Sequence, residues 1–191
     1  MKKWALVAAT CCGFFAYSNQ TMSQVLSGTS NITLQGNVSQ FCALPVPSYS
    51  TGAANFIAGP NSDAQFVFDA SDFIDSSTGK SKPQKLILKY TAAMCNFPAY
   101  LALKSTNIGM TAGTASATGF SNFVHYTATA NWGTAVASID TSKATTPVSV
   151  AAQPFMGDVT LTIQTQATPT PVVATQSPYS DVLILQIGSK L

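Results

Sequence analysis

The chain has 191 residues, of which only 8% are charged; a typical soluble domain carries about 25%. The cationic side chains are all Lys, the acidic ones are all Asp, and His125 is the one histidine. So few ionisable groups argue against most enzymes and against nucleic-acid binders, which need a dense basic face. A hydrophobic fraction of 46% argues against disorder.

Residues 1–18 read as a secretory signal peptide. Lys2 and Lys3 supply the positive start, Trp4 to Tyr17 is uncharged and mostly apolar, and Ala16-Tyr17-Ser18 ends on small residues. The apolar run is shorter than the roughly 20 residues a membrane-spanning helix needs, so no transmembrane segment is expected in the mature chain. The expected location is therefore exported. Without Lys2 and Lys3, the seven remaining Lys balance the seven Asp. A chain with no net charge has little repulsion to keep copies apart. Cys11 and Cys12 leave with the leader. Cys42 and Cys95 remain, and two cysteines in an exported chain read as one disulfide.

Residues 19–30 form a polar extension, and residues 31–191 read as a single domain. Period-2 patterns dominate it, and no convincing helical period occurs. The first expected strand is Asn31 to Val38, with Ile32, Leu34 and Val38 on one face. Asp63 to Asp69 is a short buried strand around Phe66, Val67 and Phe68. Lys85 to Tyr90 alternates, with Leu86, Leu88 and Tyr90 inward, and Cys95 follows it. Tyr100 to Ser105 puts Leu101 and Leu103 inward and Lys104 outward. Phe123 to Trp132 is the longest alternation, with His125 on its outer side. Asp158 to Thr165 buries Val159, Leu161 and Ile163. Asp181 to Ile187 is apolar on both faces and reads as a central or doubly covered strand. Turn-rich runs at Ser48 to Ala54, Ser76 to Pro83, Gly109 to Gly119 and Gln166 to Pro178 separate them. The whole predicts an all-β, antiparallel β-sandwich.

Sites for chemistry are scarce. His125 lies among Thr residues with no carboxylate partner evident, so no catalytic triad is expected. Asp63, Asp69, Asp72 and Asp75 cluster without the spacing of a calcium loop. Tyr100, Phe123, Tyr126 and Trp132 suit a sugar platform less well than a core. No catalytic residue, metal or cofactor is expected.

Four segments carry a family resemblance. They are Ile32-Thr-Leu-Gln-Gly-Asn-Val-Ser-Gln-Phe-Cys42, Cys95-Asn96 followed by Tyr100-Leu-Ala-Leu103, Phe123 to Trp132, and Tyr179-Ser-Asp-Val-Leu-Ile-Leu185. In this order they resemble bacterial chaperone–usher pilin subunits of the archaic branch, which share the spore coat protein U-like domain. The resemblance implies an immunoglobulin-like sandwich that lacks one strand. It implies partners as well: other pilin subunits, a periplasmic chaperone and an outer-membrane usher. The missing strand would come from the N-terminal extension of a neighbouring subunit, by β-augmentation. By position, Leu26, Gly28, Ser30 and Ile32 would enter the groove, and the product would be a surface pilus or coat. The competing expectation is a self-sufficient exported binding module for glycans or surfaces. An eight-stranded outer-membrane barrel fits less well, because Lys190-Leu191 offers no terminal aromatic.

Overall fold

The computed structural model describes residues 33–51, 55–58, 64–67, 73–113, 117–143, 147–174 and 178–191. The regular structure of the described chain is almost entirely β-strand, and its strands pair antiparallel. The chain divides into two units, residues 1–37 and 38–191. In the first unit the described residues, 33–37, are exposed and belong to no strand.

Two sheets make up the body of the second unit. The larger contains β1 (Cys42–Ala43), β2 (Ser48–Thr51), β5 (Lys85–Cys95), β9 (Tyr126–Trp132), β10 (Ala135–Asp140) and β12 (Phe155–Thr165). Its order is β1-β5-β12-β9-β10, and β2 pairs with β5 on the same side as β1. The smaller sheet is β11 (Val148–Ala152), β6 (Ala99–Ser105) and β13 (Leu183–Gly188), with β6 in the middle. Two small hairpin-like pairs complete the list of strands: β3 (Asn55–Ala58) with β4 (Ala64–Val67), and β7 (Met110–Thr111) with β8 (Phe123–Val124).

The core lies where the inward rows of the two sheets meet. Leu86, Leu88 and Tyr90 of β5, Val159 and Leu161 of β12, and Tyr126, Ala128, Ala130 and Trp132 of β9 face Leu101 and Leu103 of β6. Each was expected inward from its alternation, because side chains in a strand point to opposite faces in turn. Burying each Leu or Val stabilises the fold by roughly 1.5–3 kcal/mol. Alanines at 128, 130, 135 and 137 are all buried, and Ile139 sits opposite Ala128. These small residues let the smaller sheet come close to β9 and β10, and β10 packs against both β11 and β6.

One disulfide joins Cys42 to Cys95, as expected. Cys95 is the last residue of β5 rather than lying beyond it, and Cys42 is its direct cross-strand neighbour. β5 reaches that far because Asp158 stabilises a bulge within it. The register shifts between Gly157 and Val159, and Ala92 takes φ 59°. The Asp158 carboxylate accepts the Ala92 N–H at 3.0 Å and pairs with Lys89 at 2.7 Å. Those contacts hold the Asp158 carboxyl below its usual range, Lys89 contributing most.

Three expectations are corrected. The strand expected over residues 31–38 is not formed where the chain is described: residues 33–40 are exposed and belong to no strand, and residues 31 and 32 lie outside the described part. The run from Phe123 to Trp132 is broken at His125. Val124 pairs with Met110, while the Tyr126 N–H is taken by the Thr141 hydroxyl at 2.8 Å, so the chain changes sheet there. The strand expected over Asp181 to Ile187 begins at Leu183 and is not central, since β13 pairs with β6 alone among the described residues. Alternation also missed β2, β10 and β11. The run at Ser48 was read as a turn from its small residues, yet it finds a partner in β5.

Candidate assembly edge at the last strand

β13 is the edge of the three-stranded sheet. Its alternate backbone N–H and C=O groups on the side away from β6 have no partner strand among the described residues. Leu183, Leu185 and Ile187 form its inward row. Ile187 is buried, whereas Leu183 and Leu185 are only half-buried. On the outward row, Val182 and Ile184 are 59% and 37% exposed. A two-sided apolar strand at an edge is an association hazard unless something covers it.

Across this flank the larger sheet ends in β1, which has only two residues. The two strands approach each other at one end: a Cβ on Gly188 would meet the Cys42 sulfur at 3.8 Å. β1 is fixed twice, by the disulfide and by Asn96 in the turn after β5. The Asn96 carboxamide oxygen accepts the Phe41 N–H at 2.7 Å, its amide donates to the Ser39 carbonyl at 2.8 Å, and its own N–H donates to the Phe41 carbonyl. Ahead of that clamp, Val38 is 85% exposed, and in the first unit Leu34 is 90% exposed.

Asp181 holds the start of β13. Its carboxylate accepts hydrogen bonds from the Tyr126 hydroxyl at 2.7 Å and the Ser105 hydroxyl at 2.5 Å. It also accepts the backbone N–H groups of Asn107, Gly109 and Val182. These bonds fasten the loop after β6, where Ile108 takes φ 58°. A branched residue in that region is strained. Gly109 follows at φ 122°, and a Cβ there would lie 2.9 Å from the His125 Nδ1. Only glycine fits that close approach. Burial pushes the Tyr126 hydroxyl well above its ordinary range; the Asp181 carboxylate raises it further, and Ser105 opposes.

The sequence-predicted site residues fall into two groups. Cys42 and Cys95 are joined. Leu26, Gly28, Ser30 and Ile32 lie outside the described residues. His125 is half-buried, stacked on Phe123 with ring centres 5.9 Å apart, and its Nδ1 lies 3.4 Å from the Thr141 hydroxyl. Asp75 caps a turn through Ser77 and Thr78, while Asp63, Asp69 and Asp72 lie outside the described residues. Among the described residues no group of three His, Cys, Asp or Glu could hold a metal ion. Among them, too, no helix is long and apolar enough to cross a membrane. Tyr126 and Trp132 are core residues, and Tyr100 and Phe123 are half-buried. The role of Asp181 was missed, although the run Tyr179-Ser-Asp had been singled out. An isolated acid just before an apolar strand was the available signal.

The chain matches no family model, no curated protein and no solved structure.

Proposed function

We propose that this chain is an exported structural subunit of a bacterial surface pilus or coat, which polymerises by donor-strand complementation. The edge of β13 carries the reading. Its half-buried inward leucines, and an outer edge with no partner strand among the described residues, suit an added strand, which would gain main-chain hydrogen bonds along the edge and side-chain contacts in the row below. The donor would be the N-terminal extension of a second copy, residues 19–30 and on towards Leu34, with Leu26, Gly28, Ser30 and Ile32 on the inserted face. Residues 33–40, which continue it, are exposed and in no strand, which is compatible with a segment whose partner is another molecule. A periplasmic chaperone would cover the edge before assembly, and an outer-membrane usher would exchange one cover for the other.

The test is export of the intact chain and of a form lacking residues 19–30, with fibres scored by electron microscopy and size-exclusion chromatography. The intact chain should form linear polymers, and the deletion should stop at single subunits. Fibres from the deleted form would refute the donor assignment. A stable, lone monomer from the intact chain without a chaperone would favour the self-sufficient binding module instead.

A further inference from the structure

The main chain of β13 alternates between its two sides. The Thr106 N–H donates to the Val182 carbonyl at 3.0 Å, and Ser105 and Leu183 are cross-strand partners. Residue 182 therefore turns its backbone towards β6. In an antiparallel ladder every second residue does so, and residues 184, 186 and 188 follow. The backbone groups of Leu183, Leu185 and Ile187 then point to the outer edge, where no strand pairs among the described residues. The same three residues carry the inward side chains.

Room beside that row is graded along the strand. Ile187 and Gly188 are buried, and the Cys42 sulfur lies 3.8 Å from where a Gly188 Cβ would be. Leu185 and Leu183, farther along, are half-buried. An added strand must bring small side chains to the Gly188 end and bulky ones to the Leu183 end. One row of this chain has that grading. Leu26, Gly28, Ser30, Ile32 and Leu34 share a strand face, and the opposite face is Ser27, Thr29, Asn31 and Thr33. Leu34 is 90% exposed, so an apolar cover stabilises it.

We propose that Ile32 and Leu34 of a second copy are the anchors at this edge, Ile32 opposite Leu185 and Leu34 opposite Leu183. Ser30 then lies opposite Ile187, and Gly28 passes the constriction beside Gly188. This register rests on the assembly reading above and deepens it. Leu26 passes beyond Gly188 and contributes little. The reverse orientation is disfavoured, because it drives the two bulky residues into the end where Ile187 is already buried and Cys42 leaves least room.

In this register Thr33 and Ile184 oppose each other on the outward face. They form a non-hydrogen-bonded pair with Cα atoms about 4.5 Å apart, a separation a disulfide spans. Two forms of the full chain, one with Thr33→Cys and one with Ile184→Cys, are exported together in a Cys11→Ser/Cys12→Ser background and oxidised. They should yield covalent pairs of subunits that reduction separates. Ser27→Cys in place of Thr33→Cys should trap about tenfold fewer, because its Cα lies beyond disulfide reach. Ile32→Ala should weaken assembly about tenfold, and Leu26→Ala by no more than about twofold. Stronger trapping from residue 27, or equal losses from the two alanine variants, would overturn the register and leave polymerisation standing. Polymers without trapping at either position would do the same. If copies do not link, and Thr33→Cys with Ile184→Cys in one chain closes that chain on itself, the register between copies and the assembly reading both fall. Neither trapping nor polymers would also overturn both.

Discussion

The two flanks of the sandwich are built differently. On the β10–β11 flank, strands of opposite sheets pack against each other over a floor of small residues, and Ala128, Ala130, Ala137 and Ile139 are at most 2% exposed. That flank is closed by its own residues. On the β1–β13 flank, a two-residue strand faces a six-residue edge strand, and they approach each other near Gly188. Leu183 and Leu185 remain half-buried there. Cross-strand neighbours make the contrast plain. Leu103 and Leu185 lie side by side in the ladder, yet Leu103 is fully buried and Leu185 is not. Burial in this fold is thus set by which flank a residue borders as much as by its alternation.

If the open flank depends on covalent and polar clamps where the closed flank depends on packing, removing a clamp should cost most. The Cys42→Ser/Cys95→Ser double variant releases β1 and opens a loop of 53 residues' separation. The loss should be about 4 kcal/mol in chemical denaturation. A loss under 1 kcal/mol would mean that Asn96 alone suffices to hold β1. Next in size is the ladder pair. Leu103→Ala should cost about 3 kcal/mol, because a fully buried leucine leaves both a transfer loss and a cavity. Leu185→Ala should cost about 1 kcal/mol in the isolated subunit. Under the assembly proposal that second cost approaches the first once an added strand covers Leu185. Equal costs in the isolated subunit would erase the distinction between the flanks.

The closed part of the fold was legible in the sequence, and the open part was not. Strict alternation in Lys85–Tyr90, Tyr100–Ser105 and Asp158–Thr165 identified three strands and their inward residues, because half-buried strands write their burial into every second position. The alanine-rich β10 escaped notice, since Ala marks neither face strongly, and its burial comes from the neighbouring sheet. For β13 the pattern misled. Val182 and Ile184 made its outer face look covered, whereas among the described residues that face is exposed. Apolarity reports that a surface wants a partner, and says nothing of whether the partner is in the same chain. The disulfide was readable from cysteine count and compartment. The Asp181 network was not, because it joins positions 105, 126 and 181, which only the folded topology brings together.

That network ranks below the buried leucine of the ladder pair. Asp181→Ala leaves the Tyr126 and Ser105 hydroxyls without their acceptor and frees two loop N–H groups. The cost should be about 2 kcal/mol, with earlier hydrogen exchange at Asn107 and Gly109 than in β9. Exchange that rises equally in both places would show that Asp181 supports the whole sandwich and not the open flank alone.

The last effect is confined to alkaline solution. The Tyr126 hydroxyl is held above its ordinary value of 10.0 in the folded chain, chiefly by burial. Ionisation is therefore easier in the unfolded chain. The contribution is complete below pH 10 and is lost as pH rises beyond it towards the folded value, by at most about 1.4 kcal/mol per pH unit. Asp140 and Asp158 act in the opposite direction. Ser142 and Lys89 lead in holding their carboxyls low, so their contribution is present above the ordinary carboxylate range and fades as pH falls through the folded values. Tyr126→Phe should leave the acid limb of the stability profile unchanged and flatten the limb above pH 10. The same variant also loses the hydrogen bond to Asp181, so it should start slightly less stable at neutral pH and cross the parent curve in base. A parent and variant whose curves stay parallel from neutral pH upward would show that Tyr126 ionises as freely in the folded protein as in water, and that the Asp181 end of the open flank is wetter than its geometry implies.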